Sequence, residues 1–227
     1  MQQKIERAGF SGAERGSRTW LGGSDVSAAV IGAGRETRWR KNQACDAVVA
    51  RGAVACVLSG AVRKFALRPN GQRQIIDLMI IGDSVGFAPV DPNFFLEAVL
   101  DDTRIVSFAR EEIDGLVARF PGVAAVMHEC AGEVIRRLEH HLLVQGRMSA
   151  REKVGAYLAE LARRVAPGGA ATIVLPITRY DIADHLGIAV ETVSRTMTFL
   201  CRCGSIALKT PRDVEIRDVA MLANTRR

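Results

Sequence analysis

The sequence contains no long run of apolar residues, and no apolar stretch follows its N-terminal charges. A membrane-spanning helix requires about 20 consecutive apolar residues, and a secretory signal requires a continuous apolar region behind its basic residues. Because both are missing, we expect a cytoplasmic protein without a membrane partner.

The sequence has five cysteines, and none of them has the spacing of a metal site. No C-x₂-C pair and no matching histidine spacing occur, which argues against zinc or iron–sulfur ligation and favours buried thiols in a reducing cytosol. Cys201 and Cys203 are possible redox residues, because Arg202 between them can lower the pKa of a thiol. The remaining cysteines are Cys45, Cys56 and Cys130.

Catalytic constellations are also missing. No nucleophile is paired with a base and no metal triad is evident, and the adjacent His140 and His141 would diverge around a helix. We therefore predict that the protein is not an enzyme.

What the chain does carry is positive charge towards its C-terminus. Its net charge is +6, and residues 149–227 hold 12 Lys and Arg against 8 Asp and Glu. This basic third suits a polyanionic partner. With 227 residues, of which 48% are hydrophobic, the chain is long enough for two modest domains that each bury a core.

One segment, residues 177–204, predicts two short helices joined by a tight turn; it reads ITRYDIADHLGIAVETVSRTMTFLCRCG. Thr178 followed by Asp181 resembles a capping box that starts the first helix. Ala183 is small where the helices must approach, and Gly187 tolerates the positive φ of the turn. Apolar residues fall on the inward faces of both helices: Ile182, Leu186, Ile188 and Val193. This is the pattern of a helix-turn-helix.

The second helix of this segment would present its outward positions to the edges of DNA bases. Arg can bond guanine bidentately, and Glu can accept a hydrogen bond from cytosine N4. The candidate base-contacting residues are Val190, Glu191, Ser194 and Arg195. The alternative is an amphipathic helical hairpin that has no role in DNA binding. The capping box, the small residue between the helices, the glycine of the turn and the exposed charges together favour DNA binding.

Short β-like runs occupy the chain from Val48 to about residue 109. Pro69-Asn70-Gly71 between two apolar runs predicts a hairpin, in which both Asn and Gly accept positive φ. Antiparallel strands at this short spacing predict a sandwich or a β-roll.

The hydrophobic period becomes helical from Glu111, with a short helix before Pro121 and a long helix from about Gly122 to about Gln145. One face of the long helix carries a heptad-like seam that we interpret as a parallel dimer contact. The seam comprises Ala131, Ile135, Leu138, Leu142 and Gln145. A second apolar strip would pack on the chain's own β-domain; it comprises Val126, Met127, Cys130 and Val134. In the alternative, both strips are buried within one chain.

Flanking segments complete the DNA-binding region. A helix from Arg151 to Val165 and a short extended run, ATIVLP, precede the helix-turn-helix. After Gly204, two brief strands predict a wing whose Lys209 and Arg212 are available to phosphates.

The predicted fold class is α+β: an N-terminal antiparallel β-roll, a long dimerisation helix and a C-terminal winged helix-turn-helix. The predicted domains are a flexible N-terminal tail (1–25), a sensor-like β-roll (26–121), the dimerisation helix (122–146) and the DNA-binding domain (147–227).

The order of these segments resembles the CRP/FNR superfamily of bacterial transcription regulators over roughly residues 48–217. The motifs are LSGAVRKFALRPNGQRQI and GDSVGF in the roll and ITRYDIADHLGIAVETVSRTMTFL in the helix-turn-helix. The E-x-x-S-R motif of Glu191, Ser194 and Arg195 is similar to that of the FNR/FixK branch rather than the cyclic-AMP-receptor branch.

The resemblance implies a homodimeric activator that binds double-stranded DNA at a palindrome near TTGAT-N4-ATCAA and has RNA polymerase as a partner. Glu191 and Arg195 would read bases and Ser194 would assist. The resemblance also implies residues that contact the DNA backbone, namely Thr178, Arg179 and Thr192.

Departures from the family pattern concern the signal. Cyclic-nucleotide-binding members carry a Gly-Glu pair and then an Arg for the cyclic phosphate; here Gly86 precedes Phe87, and residues 93–96 read NFFL. A buried phosphate would lack its compensating cation, so cyclic AMP is not expected. Residues 1–44 contain no cysteine for the cluster of FNR. We therefore predict no cofactor.

Two local departures concern stability. Ala189 stands where the family usually has a capping Thr or Ser. The first hairpin of the roll, around residues 41–54, lacks its usual glycine-acidic turn, so irregular N-terminal strands are expected.

Sensing alternatives stay open within the family. Haem could be held through His128 or Cys130, and a thiol switch at Cys201 or Cys203 could gate DNA binding.

Overall fold

The computed structural model describes residues 30–87, 91–146, 148–165 and 171–223. The predicted flexible tail, residues 1–25, lies outside these ranges. The described chain divides into two compact units, one ending at Leu138 and the other beginning at Glu139. The division into four segments remains a prediction.

The first unit contains two antiparallel sheets. One has the strand order β1, β7, β2, β5 and the other has the order β4, β3, β6. The strands are β1 (Arg35–Trp39), β2 (Val54–Ser59), β3 (Ala61–Leu67), β4 (Arg73–Ile80), β5 (Ser84–Val85), β6 (Phe94–Ala98) and β7 (Thr103–Phe108). Helices α1 (Arg110–Arg119) and α2 (Gly122–Gln145) follow. The predicted β-roll and the two helices are confirmed.

Alternate residues of β2 enter two apolar clusters, because successive side chains of a strand point to opposite faces. Cys56 packs with Phe108 against the start of α2, and Val57 packs with Met79 on the other side. Cys130 of α2 is buried in the first cluster. The second apolar strip therefore packs on the chain's own roll, as predicted.

A buried ion pair network fixes α2 to the roll. Nη2 of Arg137 is 2.9 Å from Oδ2 of Asp77, and Nη1 is 3.3 Å from Oδ1 of Asp83. The Arg137 side chain is only 6% exposed. Burial acts to lower the pKa of Arg137, but the two carboxylates outweigh burial and raise it. The guanidinium is therefore a permanent charge inside the roll.

Two features of the roll differ from the sequence prediction. Asp46–Gly52 forms a 3₁₀ helix instead of the start of a strand, because Cys45, Val48 and Val49 are buried at a helical spacing. Strand β1 was not predicted at all. The expected irregularity before β2 is thus a short helix.

The hairpin between β3 and β4 is confirmed, but its turn has only one residue with positive φ. Gly71 has φ of 79°, whereas Asn70 is not among the described residues with positive φ. Instead, Oδ1 of Asn70 accepts a hydrogen bond from the backbone N–H of Gln72 at 3.0 Å. The side chain of Asn70 therefore stabilises the turn, which is not of the primed type.

The second unit contains the end of α2, four further helices and a three-stranded antiparallel sheet of order β8, β10, β9. Its elements are α3 (Ala150–Val165), β8 (Ala171–Val174), α4 (Arg179–Leu186), α5 (Val190–Arg202), β9 (Ile206–Leu208), β10 (Asp213–Ile216) and α6 (Val219–Ala223). The helix-turn-helix is α4 and α5, and β9 and β10 form the predicted wing. Within the described ranges, every helix is too short or too polar to cross a bilayer.

Candidate nucleic-acid interface

The first helix of the helix-turn-helix begins with a complete capping box. Oγ1 of Thr178 accepts from the N–H of Asp181 at 3.2 Å, and the Asp181 carboxylate accepts from the N–H of Thr178 at 3.0 Å. The Thr178 hydroxyl also donates to that carboxylate at 2.8 Å. Because the hydroxyl is engaged, a phosphate at this end would meet the N–H groups of the first turn, where the helix dipole favours an anion.

The turn between α4 and α5 depends on Gly187, which has φ of 64° and ends α4 in the left-handed conformation. Ala183 is 7% exposed, and the N–H of Ile188 donates to its carbonyl at 3.2 Å. Of the predicted inward residues, Ile188 alone is only half-buried; the others are Ile182, Leu186 and Val193. The geometry of the turn follows the sequence prediction.

Two side chains from outside the helix-turn-helix satisfy carbonyls at the end of α4. Nε2 of Gln145 donates to the carbonyl of His185 at 2.6 Å, and Nζ of Lys153 donates to that of Leu186 at 3.4 Å. Lys153 also donates to Oε1 of Gln145 at 3.3 Å. Helix C-termini need such donors. The ring of His141 stacks on His185 at 4.2 Å. We call Gln145 and Lys153 the α4 latch.

Gln145, a member of the predicted dimer seam, thus has its carboxamide engaged within its own chain; its place in a dimer contact remains a prediction. The other seam residues behave differently. Ile135 is 57% exposed and Leu142 is 70% exposed, whereas Ala131 and Leu138 are half-buried. Leu143, which the heptad pattern did not include, is 71% exposed. Ile135, Leu142 and Leu143 are thus exposed apolar side chains on α2, and the dimer seam remains a prediction.

Helix α5 buries one face and exposes the other. Val193, Thr196, Met197 and Leu200 are buried on the inward face. Glu191 and Arg195 are exposed, while Val190, Thr192 and Ser194 are half-buried. The carboxylate of Glu191 and the guanidinium of Arg195 therefore reach solvent from a packed helix, which is the arrangement that the reading of base edges requires. Contact of these residues with DNA remains a prediction.

Thr198 lies on the outward face of α5 but is not among the base-contacting residues predicted from the sequence. It is exposed four residues after Ser194, and its hydroxyl donates to the Ser194 carbonyl at 3.1 Å. The i, i+4 spacing from Ser194 would have identified it as a member of the same outward face.

The two ends of α5 are differently supported. Its N-cap residue, Ala189, makes no side-chain cap hydrogen bond, as the sequence predicts. Towards the other end, the guanidinium of Arg151 lies 4.2 Å from the centre of the Phe199 ring. The helix ends at Arg202, so Cys203 is the C-cap residue instead of part of the helix. Cys203 is exposed and Cys201 is half-buried.

The wing carries the predicted phosphate-contacting residues near its surface. Lys209 is exposed, and its Nζ lies 3.3 Å from Oγ1 of Thr172 and 3.5 Å from Oε2 of Glu215. Arg212 is half-buried near the tip of the hairpin. At the start of α4, Arg179 is half-buried as well. The contact of these three cations with phosphate remains a prediction.

The roll encloses a cavity of about 420 Å³ beside α2. Its polar lining includes Asp46, Asp77 and Asp91 but only one cation, Lys64, which lies 4.6 Å from the centre of the Phe94 ring. Asp77 is paired with the buried Arg137, so an anionic ligand would face the carboxylates of Asp46 and Asp91 beside the ammonium group of Lys64. That cyclic AMP does not bind remains a prediction.

Among the described residues, no three His, Cys, Asp or Glu side chains are grouped so that they could hold a metal ion. His128 is exposed and Cys130 is buried, and a haem held through either residue remains an untested alternative. Burial raises the pKa of Cys45 to about 12, with Asp46 and Glu97 adding to the shift. Burial also raises the pKa of Cys56.

The fold and this surface define a winged helix-turn-helix protein with a β-roll. A model of the Crp-like helix-turn-helix domain matches residues 152–225. The chain is 35% identical over 172 residues to the nitrogen fixation regulation protein FixK of Azorhizobium caulinodans, covering 74% of this chain and 69% of that protein. It is 32% identical over 175 residues to the transcriptional activator FnrL of Cereibacter sphaeroides, covering 74% and 71%.

A solved structure gives the same result. FixK2 from Bradyrhizobium japonicum is similar with a TM-score of 0.71 and 31% identity, covering 84% of this chain and 96% of that one. The chain therefore belongs to the CRP/FNR family and is FixK-like. It is a DNA-binding transcription regulator. Its relatives are regulators as well, which is consistent with the prediction that it is not an enzyme.

Proposed function

We propose that the protein is a homodimeric activator that binds a palindrome resembling TTGAT-N4-ATCAA and acts with RNA polymerase in the cytoplasm. The observation that carries this proposal is the exposure of Glu191 and Arg195 on a helix whose opposite face is fully packed. Arg195 would bond a guanine, Glu191 would accept from a cytosine, and Ser194 and Val190 would make the shorter-range contacts.

The backbone would be contacted from three places. The start of α4 offers Thr178 and Arg179, α5 offers Thr192, and the wing offers Lys209 and Arg212. These contacts would fix the orientation of α5 without carrying sequence information. The roll would act as the sensor-like domain, and residues 122–146 would form the dimerisation helix.

The test of recognition is a binding measurement at stated salt. Fluorescence anisotropy would compare a duplex that contains the palindrome with a scrambled duplex of equal length. The palindrome is expected to bind about a thousandfold more tightly or better, as for specific DNA-binding proteins in general. Equal affinity for the two duplexes would refute the proposal.

The test of the dimer uses two exposed leucines. Leu142 on α2 is 70% exposed and Leu67 at the end of β3 is 53% exposed. Leu142→Glu introduces like charges into the proposed interface, so sedimentation velocity should show a monomer. Leu67→Glu is the matched control and should leave the dimer intact. A dimer that survives Leu142→Glu would place the interface elsewhere.

A second candidate function is a thiol switch. Cys203 is exposed at the end of α5 and Cys201 is half-buried beside it, whereas Cys45, Cys56 and Cys130 are buried. Peroxide treatment should reduce operator binding reversibly, and Cys201→Ser/Cys203→Ser should abolish that sensitivity. A double variant as sensitive as wild type would exclude these thiols.

Cyclic AMP should not act as the ligand. The lining of the roll cavity has more carboxylates than cations, so adding cyclic AMP should change neither the unfolding temperature nor the operator affinity. A rise in either quantity would overturn this part of the proposal.

A further inference from the structure

The outward face of the wing sheet carries one carboxylate between two cations. Glu215 lies in the middle strand β10, and its neighbours Val214 and Ile216 are fully buried, so its own side chain takes the opposite face. Oε2 of Glu215 is 3.5 Å from Nζ of Lys209, and Oε1 is 3.5 Å from Nε of Arg217. A single carboxylate is therefore shared between two basic side chains.

Stability does not account for this arrangement. The side chains of Lys209 and Arg217 are 58% and 56% exposed, and that of Glu215 is 33% exposed. Exposed ion pairs contribute little to stability, because water and salt screen them and two long side chains lose freedom. The consequence of the arrangement is electrostatic: it halves the net positive charge of these three residues on this face.

We infer that Glu215 is a positioning residue that competes with DNA phosphates for Lys209 and Arg217, and so limits the affinity of the wing for DNA of any sequence. The inference rests on the proposed function, in which the wing lies against the DNA backbone. A cation that contacts a phosphate releases about one counterion. In the wild-type wing, a phosphate must first displace Glu215, whose charge also repels the phosphate.

The wing contains an internal comparison. Arg212 lies in the same hairpin, but its side chain makes no ion pair in the part of the chain that the structure describes. Competition by Glu215 should therefore affect the contribution of Lys209 and leave that of Arg212 unchanged. This difference separates competition for particular cations from a general effect of net charge.

The experiment measures Kd for the palindromic duplex and for a scrambled duplex over a range of KCl concentrations, with the full chain. At about 0.1 M salt, Glu215→Gln is expected to bind both duplexes about three- to tenfold more tightly, with the ratio between them unchanged within about twofold. The slope of log K against log salt should become steeper by about 1. Glu160→Gln is the matched control, because Glu160 pairs with Arg163 on α3; its Kd should stay within about twofold of wild type.

Double variants test the competition directly. In a Lys209→Gln background, the gain from Glu215→Gln should fall to half or less in free-energy terms, whereas in an Arg212→Gln background it should be retained. An unchanged or weaker affinity of Glu215→Gln would overturn the inference, and so would a full gain in the Lys209→Gln background. If wild type fails to distinguish the two duplexes, the proposed function fails. If wild type distinguishes the two duplexes but Glu215→Gln binds them no more tightly than wild type does, only this inference fails.

Discussion

The two units of the chain relate to their family in different ways. The C-terminal unit keeps the capping box at Thr178, the turn glycine at Gly187 and the exposed pair Glu191 and Arg195. The roll has a cavity whose charged lining residues are Asp46, Asp77, Asp91 and Lys64. The Crp-like helix-turn-helix model matches residues 152–225, so the family likeness is most specific in the C-terminal unit.

The two units place their charged side chains in different surroundings. Arg137 in the roll is buried between two carboxylates, where it cannot meet a ligand from solvent. Lys209 and Arg217 of the wing are exposed, where a phosphate can reach them. Buried charges hold elements together and are costly to leave without a partner, whereas exposed ones are inexpensive and available for binding.

The largest expected effect is on the free energy of unfolding, and it tests the buried charge of Arg137. Arg137→Ala removes the cation that Asp77 and Asp83 face inside the roll, so the roll should lose ~3–5 kcal/mol of its free energy of unfolding. Urea denaturation monitored by circular dichroism measures it. Arg104→Ala removes the exposed pair with Glu36 and should cost less than ~1 kcal/mol. Equal losses for both variants would remove the distinction between buried and exposed charge.

The next largest effect is on DNA binding, and it tests the exposed charge of Arg195. Arg195→Ala should lose ~1–3 kcal/mol of binding free energy at one base pair of the operator, seen as relaxed discrimination at that position in a set of single-base-pair variants. Its unfolding free energy should hardly change, because Arg195 is exposed. Lys209→Ala is the comparison and should weaken binding to all sequences alike. A uniform loss for Arg195→Ala would assign that residue to the backbone.

A smaller effect on stability tests whether Gln145 supports the end of α4 or contributes to the dimer contact. Gln145→Leu removes the hydrogen bond to the His185 carbonyl and should cost ~1–2 kcal/mol of unfolding free energy in the C-terminal unit. Its dimer dissociation constant should not change. If Gln145 instead belonged to the dimer seam, the new leucine would strengthen the dimer, and sedimentation equilibrium would show it.

The smallest effect compares how the N-terminal caps of α4 and α5 contribute to stability. Ala189→Ser supplies the missing N-cap of α5, at a residue that already has an extended backbone with φ of −68° and ψ of 144°, and should add ~1 kcal/mol to stability. Thr178→Ala removes the existing cap of α4 and should cost ~1 kcal/mol. Thermal unfolding of both variants measures the two changes, which should have opposite signs. A destabilised Ala189→Ser would show that the α5 N-terminus is satisfied in another way.

Local signals predicted the C-terminal unit well. The cap at Thr178, the left-handed residue at Gly187 and the spacing of Val193 from Leu186 each depend on a few consecutive residues, so the sequence reveals them. The prediction was less successful where distant segments meet. The 3₁₀ helix at Asp46–Gly52 packs on strands that come later in the chain, and no local pattern specifies that packing.

The sequence by itself determined the helix-turn-helix, the wing and the family, because caps, turn glycines and hydrophobic periods act over one or two turns of backbone. Only the tertiary structure decided that Gln145 belongs to the α4 latch, that Arg137 is buried between two carboxylates, and that Glu215 lies between two cations. Each of these depends on side chains brought together from elements far apart in the sequence or from neighbouring strands. Such contacts are set by packing and register, which a linear pattern does not contain.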